Sequence, residues 1–145
     1  MNQVSFADGV HRFPVRVYYE DTDFSGVVYH ANYLKFLERA RTELIRELGM
    51  DQRAMFNAEG GATHFAIGGM RIYWKRPALM DDMMIVETRL GKLRGASVTL
   101  EQTILRNDEV LLTASVDIVH LGAGKPVRMS PEMHAAFEGA GNGSI

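Results

Sequence analysis

A single long segment of this chain carries a helical apolar stripe, and most of what surrounds it alternates as strands do. Tyr33, Leu37, Ala40, Leu44 and Leu48 recur at helical spacing, with Lys35, Glu38, Arg39, Arg41, Glu43, Arg46 and Glu47 mostly between them. Gly49 is a stop signal, so the pattern predicts one amphipathic helix of about four to five turns. A helix with one apolar face has to bury that face against something.

The partner is a sheet. Period-two alternation over Phe13–Tyr19 predicts a strand before the helix, and four further strand-like runs follow it, at about 64–76, 83–93, 97–106 and 109–121. Pro77 with Asp81-Asp82, Arg94-Gly95 and Asn107-Asp108 separate these runs as turns, which makes them consecutive antiparallel hairpins. Gly68-Gly69 inside the first run reads as a bulge or a close backbone approach, and 51–63 reads as a loop. Ser130-Pro131-Glu132 is an N-cap followed by a first-position proline, so a short C-terminal helix is expected, with GAGNGSI fraying after it. The expectation is an α+β fold with a five-stranded antiparallel sheet wrapped around a long central helix. Its bounds are an N-terminal extension over 1–12, the domain over 13–130, and a short helix and tail over 131–145.

With 145 residues, 46% of them hydrophobic, the chain suits one domain with one core. Sixteen basic against eighteen acidic residues, a net charge of −2, argue against a nucleic-acid partner, although a local basic spot can still hold a phosphorylated small molecule. The absence of cysteine excludes disulfides, thiolate metal sites and a cysteine acyl-enzyme. No stretch approaches the roughly 18 apolar residues of a membrane span, and MNQVSFADGVHRF lacks the features of a secretory leader, so a cytoplasmic location is expected. Val110-Leu111-Leu112 and Ile118-Val119 place apolar residues on both sheet faces, which predicts a homodimer or tetramer.

Between the first strand and the helix lies Glu20-Asp21-Thr22-Asp23-Phe24-Ser25-Gly26. Asp21 to Gly26 imitates the opening of a calcium loop, but the twelfth position is Asn32 rather than glutamate and a strand precedes it. Ser25 lacks the flanking glycines of a nucleophile elbow. His11, His64, His120 and His134 show no metal-binding spacing, and nothing in the sequence asks for a metal or other cofactor. What remains is a carboxylate, Asp23, in a turn that leads into a helix start. Free N–H groups there and the positive end of the dipole suit a developing oxyanion. One short segment thus supplies a base and an oxyanion site, the pair that acyl transfer needs. Glu20 and Asp21 order the loop or face solvent, and their charge is expected to raise the pKa of Asp23.

The stretch VRVYYEDTDFSGVVYHANYLKFLERARTEL, Val15 to Leu44, resembles the signature of the hotdog-fold acyl-CoA thioesterases of the 4-hydroxybenzoyl-CoA thioesterase superfamily. Within it, the stretch is most similar to the YbgC-type branch associated with the Tol-Pal system. Weaker similarity continues through YWKRPALMDDM and LRGASV, so the resemblance covers most of 13–121. It implies a single hotdog domain, an acyl-CoA substrate, no cofactor, and active sites at a dimer interface. It further implies that Asp23 is the catalytic carboxylate, that the His30 backbone N–H polarises the thioester carbonyl, and that Tyr19 and the His30 side chain line the pocket. Arg94 and Ser97 correspond to a region that contacts the pantetheine and phosphates of CoA. Lys75 and Arg76 are further candidates for the phosphates, as strand-end basic side chains. A hotdog hydratase or dehydratase, and a non-catalytic acyl-CoA or acyl-carrier-protein binding module, are the rival readings. Acyl-chain preference, carrier-protein substrates and base against nucleophile for Asp23 stay open.

Overall fold

The helical stripe forms α1, Tyr33–Glu47, and buries Tyr33, Phe36, Leu37, Ala40, Leu44 and Ile45 against a curved sheet. Burying a leucine, isoleucine or phenylalanine side chain contributes about 1.5–3 kcal/mol relative to exposure, which is why the helix sits where it does. The computed structural model describes residues 5–58 and 60–141. The strands are β1 Ser5–Ala7, β2 Val10–Arg16, β3 Thr63–Trp74, β4 Met83–Leu93, β5 Ser97–Arg106, β6 Glu109–Gly122 and β7 Lys125–Pro126. They form one seven-stranded antiparallel sheet in the order β1-β2-β4-β5-β6-β3, with β7 pairing β6. This is the hotdog arrangement, an α+β layer of sheet around a long helix, with short β1 and β7 added to the expected five strands. Among the described residues no helix is long and apolar enough to cross a membrane.

Several boundaries differ from expectation, each for a local reason. Residues 5–12, read as an extension, pair as β1 and the start of β2. The first strand ends at Arg16 rather than Tyr19, because Val17 pairs instead with the 81–82 turn and the chain then bends into a 3-10 turn, Tyr19–Asp21. Residues 51–63 contain a short helix, α2 Gln52–Phe56, whose N-cap Asp51 accepts from the Ala54 amide at 3.1 Å. The C-terminal helix α3, Pro131–Gly141, runs through Gly139, Ala140 and Gly141 of the stretch expected to fray, and residues 142–145 lie outside those described.

The bulge expected at Gly68-Gly69 is present as a register shift between Ile67 and Gly69. A side chain at Gly68 would bring its Cβ to 2.7 Å from Val119 Cγ2, so no other residue fits without displacement. A second bulge falls at Leu111, which has no partner in the β5–β6 register. Leu111 and Leu112 are consequently both buried rather than displayed on opposite faces. The Leu111 carbonyl accepts from the amides of Lys75 and Arg76 at 2.8 and 3.1 Å. An outward-facing Leu111 therefore cannot argue for assembly.

Candidate active site

The segment between β2 and α1 is held by hydrogen bonds more than by packing. The Tyr18 amide donates to Asp21 Oδ2 at 2.8 Å, which caps the 3-10 turn. The Asp21 carbonyl accepts from the Tyr29 amide at 2.9 Å and from Asn32 Nδ2 at 3.2 Å, tying the acidic turn to the approach of the helix. Between these anchors the chain reverses: Thr22 bridges Val28, the Asp23 amide donates to the Val27 carbonyl at 2.9 Å, and Gly26 takes a φ of 81°. Glycine adopts that left-handed conformation without a Cβ penalty, so the reversal closes tightly around Asp23.

Asp23 is exposed, and its Oδ1 accepts from the Ser25 amide at 2.9 Å and from Ser25 Oγ at 2.6 Å. Oδ2 has no partner among the described residues and is left for water or a reacting group. The hydroxyl of Ser25, then its amide, hold the Asp23 pKa below the ordinary 3.8, with a smaller lowering from the His30 charge. This corrects the expected rise. Glu20 and Asp21 do not govern Asp23; the two donors on Ser25 do, because hydrogen bonds at contact distance outweigh like charges screened by water. Ser25, set aside as a nucleophile, is the partner that sequence reasoning missed, and its position two residues after an Asp in a turn is the available signal.

An open cleft of about 820 Å³ runs past Asp23, with Tyr19, Phe24, Leu79 and Met80 among its walls. Tyr19 is 81% exposed, so it does not continue a packed strand face as expected; it stands at the cleft. The Leu79–Met80 wall is fixed from behind. The Leu79 amide donates to Asp82 Oδ2 at 2.8 Å, Arg106 pairs with Asp82 at 2.7 Å and with Glu109 at 2.6 Å, and buried Tyr33 accepts through its hydroxyl from the Ala78 amide at 3.0 Å.

His30 opens a second 3-10 turn, His30–Asn32, that runs directly into α1. Its backbone N–H meets no acceptor among the described residues, as expected of a donor at a helix start. The ring sits 4.6 Å from the Tyr29 ring and edge-on to Trp74 at 6.2 Å, centroid to centroid, and its charge reaches Asp23.

The basic candidates separate into two groups. Lys75 and Arg76 lie just beyond β3 at the Asp23 end of the sheet; Arg76 pairs with Glu109 at 3.1 Å, and Lys75 is exposed. Arg94 and Ser97 lie at the opposite end, where the Arg94 amide donates to the Ser97 carbonyl at 2.8 Å and Arg94 Nη1 to Thr99 Oγ1 at 3.2 Å. Eleven residues of β4 stand between the two groups, about 35 Å of strand. One copy of the chain therefore does not gather all the candidate residues. Among the described residues, no group of three His, Asp or Glu side chains is placed to hold a metal ion.

Comparison with known proteins agrees with this fold. A family model described as the thioesterase-like superfamily matches residues 17–137. The acyl-CoA thioesterase YbgC of Haemophilus influenzae is 44% identical over 90% of this chain and 96% of its own, and the acyl-CoA thioester hydrolase YbgC of Escherichia coli is 43% identical over 83% and 86%. The crystal structure of a probable thioesterase from Bartonella henselae superposes with a TM-score of 0.80 at 42% identity, covering 83% of this chain and 99% of that one. With a hotdog fold, a turn-borne carboxylate and a free amide at the start of the central helix, the chain belongs to the thioesterase-like superfamily, in its YbgC branch, and is a thioester hydrolase.

Proposed function

We propose that the chain hydrolyses acyl-CoA thioesters to the free acid and CoA, with Asp23 and the His30 amide acting on opposite sides of one carbonyl. The observation that carries this reading is the state of the two groups. Asp23 is ionised at any neutral pH, with Oδ2 uncommitted, and the His30 N–H is an unspent donor among the described residues. A carboxylate so placed takes a proton from attacking water or attacks the carbonyl carbon itself; either route puts negative charge on the carbonyl oxygen, where an amide donor lowers the barrier. General-base assistance contributes about 10²–10⁴-fold and one oxyanion donor about 10²–10³-fold. Tyr19 lines the acyl-bearing cleft, and the His30 ring, backed by Trp74, walls the far side of the turn.

The substrate class follows from the relatives, whose names specify acyl-CoA. Its phosphates fit Arg94 with Ser97 or Lys75 with Arg76, and the distance between those groups is bridged in a homo-oligomer. The edge that supports assembly is β3, twelve residues with no strand on its outer side among the described residues and with Ile67, Tyr73 and Trp74 exposed along it. A second copy added there by two-fold pairing covers those side chains and brings Arg94 of one protomer toward Asp23 of the other.

The test uses the absence of cysteine, which leaves no background in a free-thiol assay. Thiol release from a panel of acyl-CoAs, abolished in Asp23→Asn with the oligomer intact, is the expected result. Binding without release by the wild type points instead to a binding module, and an altered acyl chain without release to a hydratase.

A further inference from the structure

The polar side of α1 hides one charge that the sequence pattern places among the exposed ones. Arg41 is 5% exposed. Its Nη1 donates to Gln102 Oε1 at 3.0 Å, and Gln102 Nε2 donates in turn to the Leu37 carbonyl and to Thr88 Oγ1, both at 3.1 Å. Among the described residues no carboxylate forms an ion pair with it. A buried charge is costly unless an opposite charge and hydrogen bonds offset the loss of water. One neutral amide oxygen engages one of five guanidinium N–H groups, and the nitrogens not so engaged keep some contact with solvent.

The same side chain lines a cavity of about 270 Å³ between α1 and strands β3 and β6. Ile45, Phe65, Ile67 and Ile118 give it apolar walls, and Thr42 and Gln52 polar ones; Glu38 also lines it, exposed, and acts on Arg41 through space without pairing. A buried cation at one side of a small cavity with both polar and apolar walls suits an anionic head on a short apolar body. Guanidinium matches a carboxylate best, through two parallel N–H···O bonds.

We propose that this cavity binds a carboxylate carried on a short apolar body, the head on Arg41 and the body against Ile45, Phe65 and Ile118. The volume lies just under the range of drug-sized pockets, about 300–1,000 Å³, which keeps the body short. Two sources present such a head: a free acid, or the far carboxylate of a dicarboxylic acyl thioester. The second source rests on the thioesterase reading above, and the first does not. From His30 to Arg41 is about 16 Å of helix, more than a short acyl group spans. A dicarboxylic acyl chain would thus enter from the partner protomer, across the β3 edge where Ile67 borders the cavity.

Two arms test this on the intact oligomer. In the first, calorimetry compares valerate with its neutral amide, valeramide, on wild type, on Arg41→Met, and on Ala66→Phe, which fills the cavity from its β3 wall and leaves the charge in place. We expect valerate alone to bind, and to bind at least tenfold more weakly to both variants. In the second arm, the ratio of kcat/KM for glutaryl-CoA over valeryl-CoA is expected to fall at least tenfold in both variants. Binding lost in the first arm identifies the free acid, and a ratio lost in the second the acyl chain. A wild type that binds no valerate and shows no ratio change on substitution overturns the proposal, as does binding or preference that Arg41→Met retains. Should Arg41→Met fail to fold, Ala66→Phe carries the decision alone. Failure of every thioester to react would remove the thioesterase reading and leave the valerate arm standing.

Discussion

The Asp23 turn and the helix that follows it are neighbours in sequence and opposites in construction. Residues 18–30 are mostly exposed, and hydrogen bonds from Tyr18, Ser25, Tyr29 and Asn32 fix their shape. From Tyr33 onward the chain is fixed by burial, with Leu37, Ala40 and Leu44 all at 0% exposure. The polar turn is open to ligand and changes at small cost to the fold; the buried helix gives the turn a rigid base and tolerates little. Chemistry and stability are thereby assigned to different residues, and substitutions ought to separate them.

The largest effect expected is on activity alone. Asp23→Asn should lower kcat by about 10²–10⁴-fold with an unchanged thermal melt, read by thiol release and calorimetry side by side. Leu37→Ala should do the reverse, costing about 2–5 kcal/mol of stability in denaturant titration while the folded fraction keeps its kcat. An effect of Asp23→Asn on the melt as large as that of Leu37→Ala would show that the turn is structural.

A smaller effect concerns pH. His11 is fully buried opposite Thr88, and both its ring nitrogens lack partners among the described residues. Burial holds its pKa below 6.5, against weaker raising contributions from Glu47 and Glu43. The unfolded chain therefore takes up a proton first as pH falls. Stability should be complete above about pH 6.5 and decline below it until the folded-state pKa is passed. His11→Leu should flatten that decline and add on the order of 1 kcal/mol at neutral pH, since it removes two unsatisfied nitrogens. Denaturant titrations of both proteins from pH 5 to 8 would check it. The smallest effect is expected from Ser25→Ala. The Asp23 pKa should rise toward 3.8, moving the acid limb of kcat/KM upward, while the rate at neutral pH changes by less than about tenfold.

Legibility in the sequence followed the same division. The α1 stripe, the four later strands and the Gly68-Gly69 bulge were readable because burial imposes a period, and the period survives in the residue order. What escaped was decided by single hydrogen bonds or by tertiary context. Alternation through Tyr19 says strand, but the Asp21 cap ends it early; Asp51 hides a one-turn helix inside a loop composition; Leu111 is consumed by a bulge. Arg41 looks like any charge on a solvated helix face, and its burial and its Gln102 contact show otherwise. At the candidate site, Asp23 and its turn were legible as a carboxylate before a helix start. The Ser25 bonds that set its pKa, and the separation of Arg94 from Lys75, needed three dimensions.

The most direct test is a crystal structure of the oligomer with a non-hydrolysable acyl-CoA analogue that keeps a carbonyl in place of the thioester. We expect its oxygen about 2.7–3.1 Å from the His30 amide nitrogen, with the Asp23 carboxylate facing the carbonyl carbon directly or through one water. A carbonyl oxygen bound to other donors, with Asp23 turned away from it in every protomer, would contradict the assignment.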